Sequence, residues 1–287
     1  MQPLVTGFFD TRTFTVSYVV QDPGSRACAI IDPVLDFDAA AGRTHTQSAD
    51  RIIAHIRSKE LQLMWLIETH VHADHLSAGP YLQEKLGGKI VIGAAVTIVQ
   101  KAFSKIFNTK SDFPADGTQF DRLVKDGEKL PLGGLEFLAM HTPGHTPACM
   151  TYIMGDAAFI GDTLFMPDYG TARADFPGGD ARELYHSIQK ILALPASTRL
   201  FLCHDYLSPQ RKEYVWQTSV AAQKAENVHV HDGISEEAFV AMRKARDATL
   251  NVPALILPSV QINMRAGHFP SAEENGVSYL KLPLNYF

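Results

Sequence analysis

Residues 69–75 read THVHADH, placing His70, His72, Asp74 and His75 side by side directly after the apolar run LMWLIE. In extended backbone, residues i and i+2 share a face, so His70 and His72 point to one side while Asp74 and His75 enter from the following turn. Three imidazoles and a carboxylate this close suit a metal ion, and zinc, iron and manganese all accept such donors. Three more segments repeat the pattern of an apolar run that delivers a polar group. LEFLAM leads to HTPGH with His141 and His145, CMTYIMGDAAFI leads to GDTLF with Asp162, and RLFL leads to CHDY with His204. Rigid strands present ligands on the loops at one edge, so a single edge can collect His70, His72, Asp74, His75, His145, Asp162 and His204.

The rest of the chain supplies strands and helices in alternation. TFTVSYVV and ACAIID, separated by the turn signal QDPGSR, read as a hairpin. Residues 49–60 carry Ile52, Ile53 and Ile56 at helical spacing ahead of the strand LMWLIETH. From His75, HLSAGPYLQEKLGG reads as a helix closed by glycine, KIVIG as a strand and AAVTIVQKAFSKIF as a helix. Residues 108–134 turn to Asp, Gly, Pro and Lys, which predicts a long surface connection with little regular structure on the substrate rim. GGDARELYHSIQKILAL is an amphipathic helix and RLFLCHD a last apolar strand. Beyond Tyr206 the pattern is mostly helical through SEEAFVAMRKARDAT, then proline-punctuated in PALILPSVQINMRAG. The expected organisation is an α/β catalytic domain over 1–210 with a C-terminal extension, 211–287, packed on it.

Composition removes several classes. With 26 Lys and Arg against 31 Asp and Glu, the net charge is −5, and a nucleic-acid partner is not expected. No apolar run approaches the roughly 18–20 residues of a membrane span. The N-terminal MQPLVTGFFDTRTF has no basic leader before an apolar stretch, and Asp10 argues against a transit peptide, so a cytoplasmic location is expected. Cys28, Cys149 and Cys203 lack paired spacing and are read as buried structural thiols. By strand alternation Cys203 faces away from His204. His141 is read as structural; His45, His55, His186, His229, His231 and His268 have no partnering motif and receive no role.

Taken in order, THVHADH, HTPGHTPAC, GDTLF and CHDY resemble the motifs of the metallo-β-lactamase superfamily, across about residues 5–210. Within it, GTARADFPGGDARELYHSI, His204-Asp205 followed by Tyr206, and the late NMRAG resemble the persulfide dioxygenase (sulfur dioxygenase) branch, related to glyoxalase II. The resemblance implies a four-layer αββα sandwich with metal at the edge of two facing sheets and a mostly helical C-terminal extension. It implies one Fe(II) per chain held by His70, His145 and Asp162, a triad whose open positions admit O₂ and a substrate sulfur. The implied reaction oxidises glutathione persulfide with O₂ and water to sulfite and glutathione, in sulfide and thiol detoxification. His72, Asp74, His75 and His204 then surround the triad, or hold a second metal (two Zn, Fe or Mn ions) as in dinuclear hydrolases of the superfamily.

The resemblance also places glutathione contacts at Arg173, Asp175, Tyr206 and Arg265. Guanidinium groups suit the carboxylates of a tripeptide and a carboxylate suits its amine, although Arg173 can instead pair with a neighbouring Asp. The insert at 108–134 departs from a minimal member and leaves the carrier open between glutathione and another low-molecular-weight persulfide. A homodimer is the expected assembly. Two rivals use the same residues: a glyoxalase II-like thioester hydrolase with two metals sharing Asp162, and a non-catalytic metal- or persulfide-binding protein. Flavodiiron-type members carry an acid at the position of His72, and nuclease members fit poorly with the acidic charge.

Overall fold

Short β-branched runs at the N-terminus pair before any helix forms. In the computed structural model, which describes residues 2–109, 113–209 and 211–286, β1 (Leu4–Asp10) and β2 (Thr15–Gln21) form an antiparallel pair. The predicted hairpin of β2 with β3 (Ala27–Ile31) is present beside it. Next come β4 (Val34–Asp38), β5 (Arg43–His45) and α1 (Gln47–Ser58), whose buried stripe is Ile52, Ile53 and Ile56 as its spacing predicts. The strand LMWLI becomes β6 (Gln62–Ile67), followed by β7 (Leu76–Ser77), α2 (Gly79–Leu86), β8 (Lys89–Gly93) and α3 (Val96–Ile106). The helix expected from His75 starts later, because Leu76 and Ser77 pair with β4 and Pro80 favours the first helical turn.

The segment 108–134, expected to carry little regular structure, holds two short strands that matter to the fold. It contains β9 (Arg122–Val124) and β10 (Lys129–Leu132), and these are the edge strands of two different sheets. The first sheet has the order β1-β2-β3-β6-β8-β9. The second begins at β10 and continues through β11 (Leu135–His141), β12 (Met150–Met154), β13 (Ala157–Phe159), β14 (Arg199–Phe201) and β15 (Gln217–Ser219). The segment therefore carries the chain from one sheet to the other. Charges mask its alternation, and edge strands commonly carry such charges. Residues 110–112 of this insert, and residue 210 at the expected domain boundary, lie outside the described residues.

Between the sheets, Val16, Tyr18, Val20, Ile31 and Ile67 meet Phe137, Tyr152, Phe159 and Phe201. Outside the first sheet, α1, α2 and α3 bury Ile56, Leu82 and Phe103 together with Ile256, Val260 and Ile262 of α7 (Ile256–Asn263). Outside the second, α4 (Ala181–Leu192), α5 (Val220–Glu226) and α6 (Glu236–Asp247) supply Leu184, Ile188, Val220 and Phe239 against Leu200 and Leu202. This is the four-layer αββα sandwich, with residues beyond 210 contributing to the second sheet and to both helical layers. Among the described residues, no helix is long and apolar enough to cross a membrane.

The turn that delivers His145 depends on Gly144. Its φ is +132°, its carbonyl accepts the Asp180 N–H that opens α4 at 2.9 Å, and a Cβ there would sit 2.2 Å from the Leu184 backbone nitrogen. The Gly144→Ala variant is expected to lose at least about 1–3 kcal/mol of stability, measured as a lower urea midpoint. A midpoint equal to that of the parent protein would show that the turn tolerates a side chain.

Candidate metal centre

Asp32 leaves β3 with φ +49° and is buried. Its carboxylate accepts the Thr69 N–H at 2.7 Å and the Thr69 hydroxyl at 2.8 Å, and lies 2.9 Å from His72 Nε2. Thr69 in turn places its Oγ1 3.0 Å from His70 Nδ1. Gly161, at φ +52°, lets the Asp162 turn press against this strand end, since a Cβ would lie 2.8 Å from Thr69 Oγ1. His145 Nδ1 is 2.8 Å from the Arg173 carbonyl, which fixes the N–H on that nitrogen. His204 Nδ1 lies 3.3 Å from both the Phe14 carbonyl and Thr15 Oγ1, and Thr15 Oγ1 is 3.4 Å from His75 Nδ1. His70, His72, His145 and His204 thus each have one nitrogen engaged away from the centre, the arrangement that orients metal-ligating histidines, while His75 Nδ1 also faces Asp74 Oδ2 at 3.3 Å.

The opposite nitrogens converge. His70 Nε2 and His145 Nε2 lie 3.7 and 3.5 Å from the same oxygen of Asp162, Oδ2. His204 Nε2 lies 3.3 Å from Asp162 Oδ1 and 3.4 Å from Asp74 Oδ2. Among the described residues, His70 Nε2, His72 Nδ1, His75 Nε2, His204 Nε2 and Asp162 Oδ1 are buried without a hydrogen-bond partner. Proteins rarely leave buried polar atoms unsatisfied, and five in one place are accounted for by a bound cation. Burial, followed by the neighbouring His72 and His145, holds His70 well below the ordinary histidine range, so its imidazole is neutral and able to ligate. For Asp32, burial pushes the carboxyl up, but His72 and the Thr69 donors outweigh it and keep it ionised.

All seven residues of the four motifs therefore meet at one site. Cys203 is there too, contrary to the expectation that it faces away: its Sγ lies 3.6 Å from Asp32 Oδ2 and within 4.8 Å of the donor atoms of Asp162 and His204. Strand alternation ends with β14 at Phe201 and does not govern position 203. Burial, then Asp32 and Asp162, push the thiol well above its ordinary range, leaving it an S–H donor to Asp32.

A cavity of about 240 Å³ opens onto His145, Asp162 and Asp74, walled by Phe165, Tyr169, Tyr206 and Arg173. Tyr206 stacks on the His204 ring, centroids 5.3 Å apart, and burial followed by Asp74 and Asp162 keeps its phenol protonated. The other expected substrate contacts are rearranged. Arg173 reaches the cavity wall, but its guanidinium is held by Asp175 through bonds of 2.6 and 2.7 Å and donates to the Asn251 carbonyl. Asp175 faces a neighbouring cavity of about 530 Å³ instead. Arg265 lies away from the metal centre, 4.3 Å over the Phe113 ring in a separate cleft beside the C-terminal tail. Arg243 and Arg246 of α6 line the cavity as well, Arg243 paired with Asp247, and their only trace in the sequence is cations in MRKARD without a partnering motif. Asp32 and Thr15 were equally hidden, because each reads as an ordinary strand end.

Residues 10–204 match the Metallo-beta-lactamase superfamily. The chain belongs to this superfamily. It is 57% identical to a probable metallo-hydrolase of Burkholderia pseudomallei over 98% of this chain and 99% of that protein. It is 46% identical to Glyoxylase B2 of Dictyostelium discoideum over 97% of this chain and 96% of that protein. It is 31% identical to the mitochondrial persulfide dioxygenase ETHE1 of Bos taurus over 71% of this chain and 68% of that protein. The crystal structure of ETHE1 from Myxococcus xanthus superposes with a TM-score of 0.73 at 30% identity, covering 92% of this chain and 100% of that one. The chain spans 65% of the length of a beta-lactamase hydrolase-like protein of Agrobacterium fabrum to which it is 50% identical.

In this superfamily member the buried Asp32 carboxylate sets the orientation of His72 and Thr69. Asp32→Asn is expected to weaken metal binding by about 10–100-fold, the scale of losing an orienting partner, read by competition with a chromophoric chelator. Unchanged affinity in a folded variant would remove Asp32 from the metal site.

Proposed function

We propose that the protein is a mononuclear Fe(II) persulfide dioxygenase that oxidises glutathione persulfide with O₂ and water to sulfite and glutathione. The observation that carries this reading is the convergence of His70 Nε2 and His145 Nε2 on one oxygen of Asp162 beside a small cavity walled by aromatic rings and cations. These two imidazoles and the carboxylate would hold the metal ion. Iron bound there supplies a redox-active Lewis acid with positions free for O₂ and a substrate sulfur.

The remaining work falls to the chain's own residues. The Arg173 carbonyl holds the His145 tautomer, and the Thr69 hydroxyl does the same for His70. Tyr206 brings a protonated phenol to the cavity wall. Arg246 lines this cavity and Lys105 lines the neighbouring one, and the two cavities share Arg173, Phe176 and Pro253. Cations on both sides of a common wall suit a carrier with a carboxylate at each end, as glutathione has.

A glyoxalase II-like hydrolase with two metals is the second reading, favoured by the unpartnered Nε2 of His204 beside Asp74 and the unpartnered Nε2 of His75, whose other nitrogen contacts Asp74. Oxygen uptake by anaerobically Fe(II)-loaded protein on adding glutathione persulfide separates the two. Uptake with matching sulfite is expected, reduced at least about 100-fold in Asp162→Ala, since a lost ligand costs no less than a lost orienting partner. Thiol release from S-lactoylglutathione without oxygen uptake would replace the dioxygenase reading by the hydrolase. Persulfide bound without turnover would make the protein a binder.

A further inference from the structure

The superfamily match ends at residue 204, yet the last helix reaches the loop that carries the metal donors. Asn263, at the end of α7, is buried and spends its whole carboxamide on that loop. Its Nδ2 donates to the carbonyls of His72 and His75 at 2.9 and 2.7 Å, and its Oδ1 accepts the Ser77 N–H at 2.8 Å. Two donor hydrogens meet two carbonyls and one acceptor meets one N–H, a match that a carboxamide makes and neither a carboxylate nor an apolar side chain can. The loop runs from β6 to β7; its start is held by the Glu68 N–H on the Val91 carbonyl and by the Met150 N–H on the Thr69 carbonyl, and Asn263 supplies bonds to its far half.

The same contact continues to the donors. Ser77 Oγ donates to Glu68 Oε1, and the other Glu68 oxygen lies 3.4 Å from His72 Nε2. On its far side α7 is fixed by burial of Val260, Ile262 and Met264 and by the Gln100 amide, which donates to the Met264 carbonyl at 2.9 Å. A polar group held this firmly transmits its position to the loop it grips.

We propose that Asn263 is a positioning residue of the metal centre: by holding the His72 and His75 carbonyls it sets the turn that aims both imidazoles, and metal binding and docking of the last helix stabilise each other. The inference rests on the metal site described above. Linkage makes the coupling reciprocal, so a metal that binds the docked state must also strengthen the docking.

Co(II) alone, added to the full-length metal-stripped protein, is the probe. In the parent protein Co(II) is expected to slow amide hydrogen exchange in α7 and at Ser77, a measurement that needs no variant. Asn263→Asp keeps the acceptor for Ser77 but turns both donors into acceptors, and Asn263→Leu keeps the shape without polar atoms. Both are expected to bind Co(II) about 10–100-fold more weakly, with a changed visible spectrum and a smaller metal-induced rise in Tm. Ile262→Val, which trims the same helix without touching the loop, should lower Tm with and without metal and leave the spectrum unchanged. Exchange in α7 that ignores Co(II), or Asn263 variants with the parent spectrum and affinity, would overturn the inference. Failure of the parent protein to take up Co(II) would overturn the metal reading and the inference together.

Discussion

The Asp32 carboxylate is a charge placed inside the protein, and such a charge persists only where donors surround it. Here the donors are the Thr69 N–H, the Thr69 hydroxyl and the His72 ring. They come from the end of β6, which pairs in parallel with β3, and the Asp32 N–H donates to the Ile67 carbonyl at 2.9 Å. The register of the first sheet and the geometry of the metal donors are therefore one constraint. A slip of one residue between β3 and β6 would strand the carboxylate and turn His70 and His72 to the wrong face.

The second sheet answers with its own fixed points. The Tyr18 hydroxyl crosses the sandwich to the Leu202 carbonyl, and the Val16 N–H donates to the Cys203 carbonyl at 2.7 Å, both immediately before His204. Phe159 and Phe201 stack between the layers with centroids 5.0 Å apart. The aromatic core thus sets the distance between the sheet that brings His70 and the sheet that brings Asp162 and His204. Donors from two layers meet with sub-ångström demands only because close-packed interiors deform little.

What could be read from the sequence was whatever is local. THVHADH, HTPGH, GDTLF and CHDY each carry a strand end and its donors within a few residues, so the four-layer fold and the converging donors were legible. Features that depend on partners far along the chain were not. Asp32 meets His72, Thr15 meets His204 and Asn263 meets His75 across long sequence separations, and nothing local marks any of them. The segments read as substrate contacts reach the cavity only in part. In TARADF, Arg173 lines the cavity while paired with Asp175, the pairing its sequence also allowed. NMRAG drew attention to Arg265, whereas the residue that faces the metal loop is Asn263, two positions earlier. The polar insert hid β9 and β10 because edge strands have no buried stripe on both faces to announce them.

The donor list alone does not choose between one metal and two, and the geometry explains why. Asp162 divides its oxygens: Oδ2 faces His70 and His145, while Oδ1 faces His204. His204 Nε2 lies between Oδ1 and the Asp74 carboxylate at 3.3 and 3.4 Å. This ring nitrogen therefore shares one donor set with Asp162 and Asp74, beside the oxygen that His70 and His145 face. A second ion, which His204, His75 and Asp74 would hold, would supply the activated water of a hydrolase. The same buried donors therefore fit one metal or two, which is why the two proposed reactions share nearly every residue.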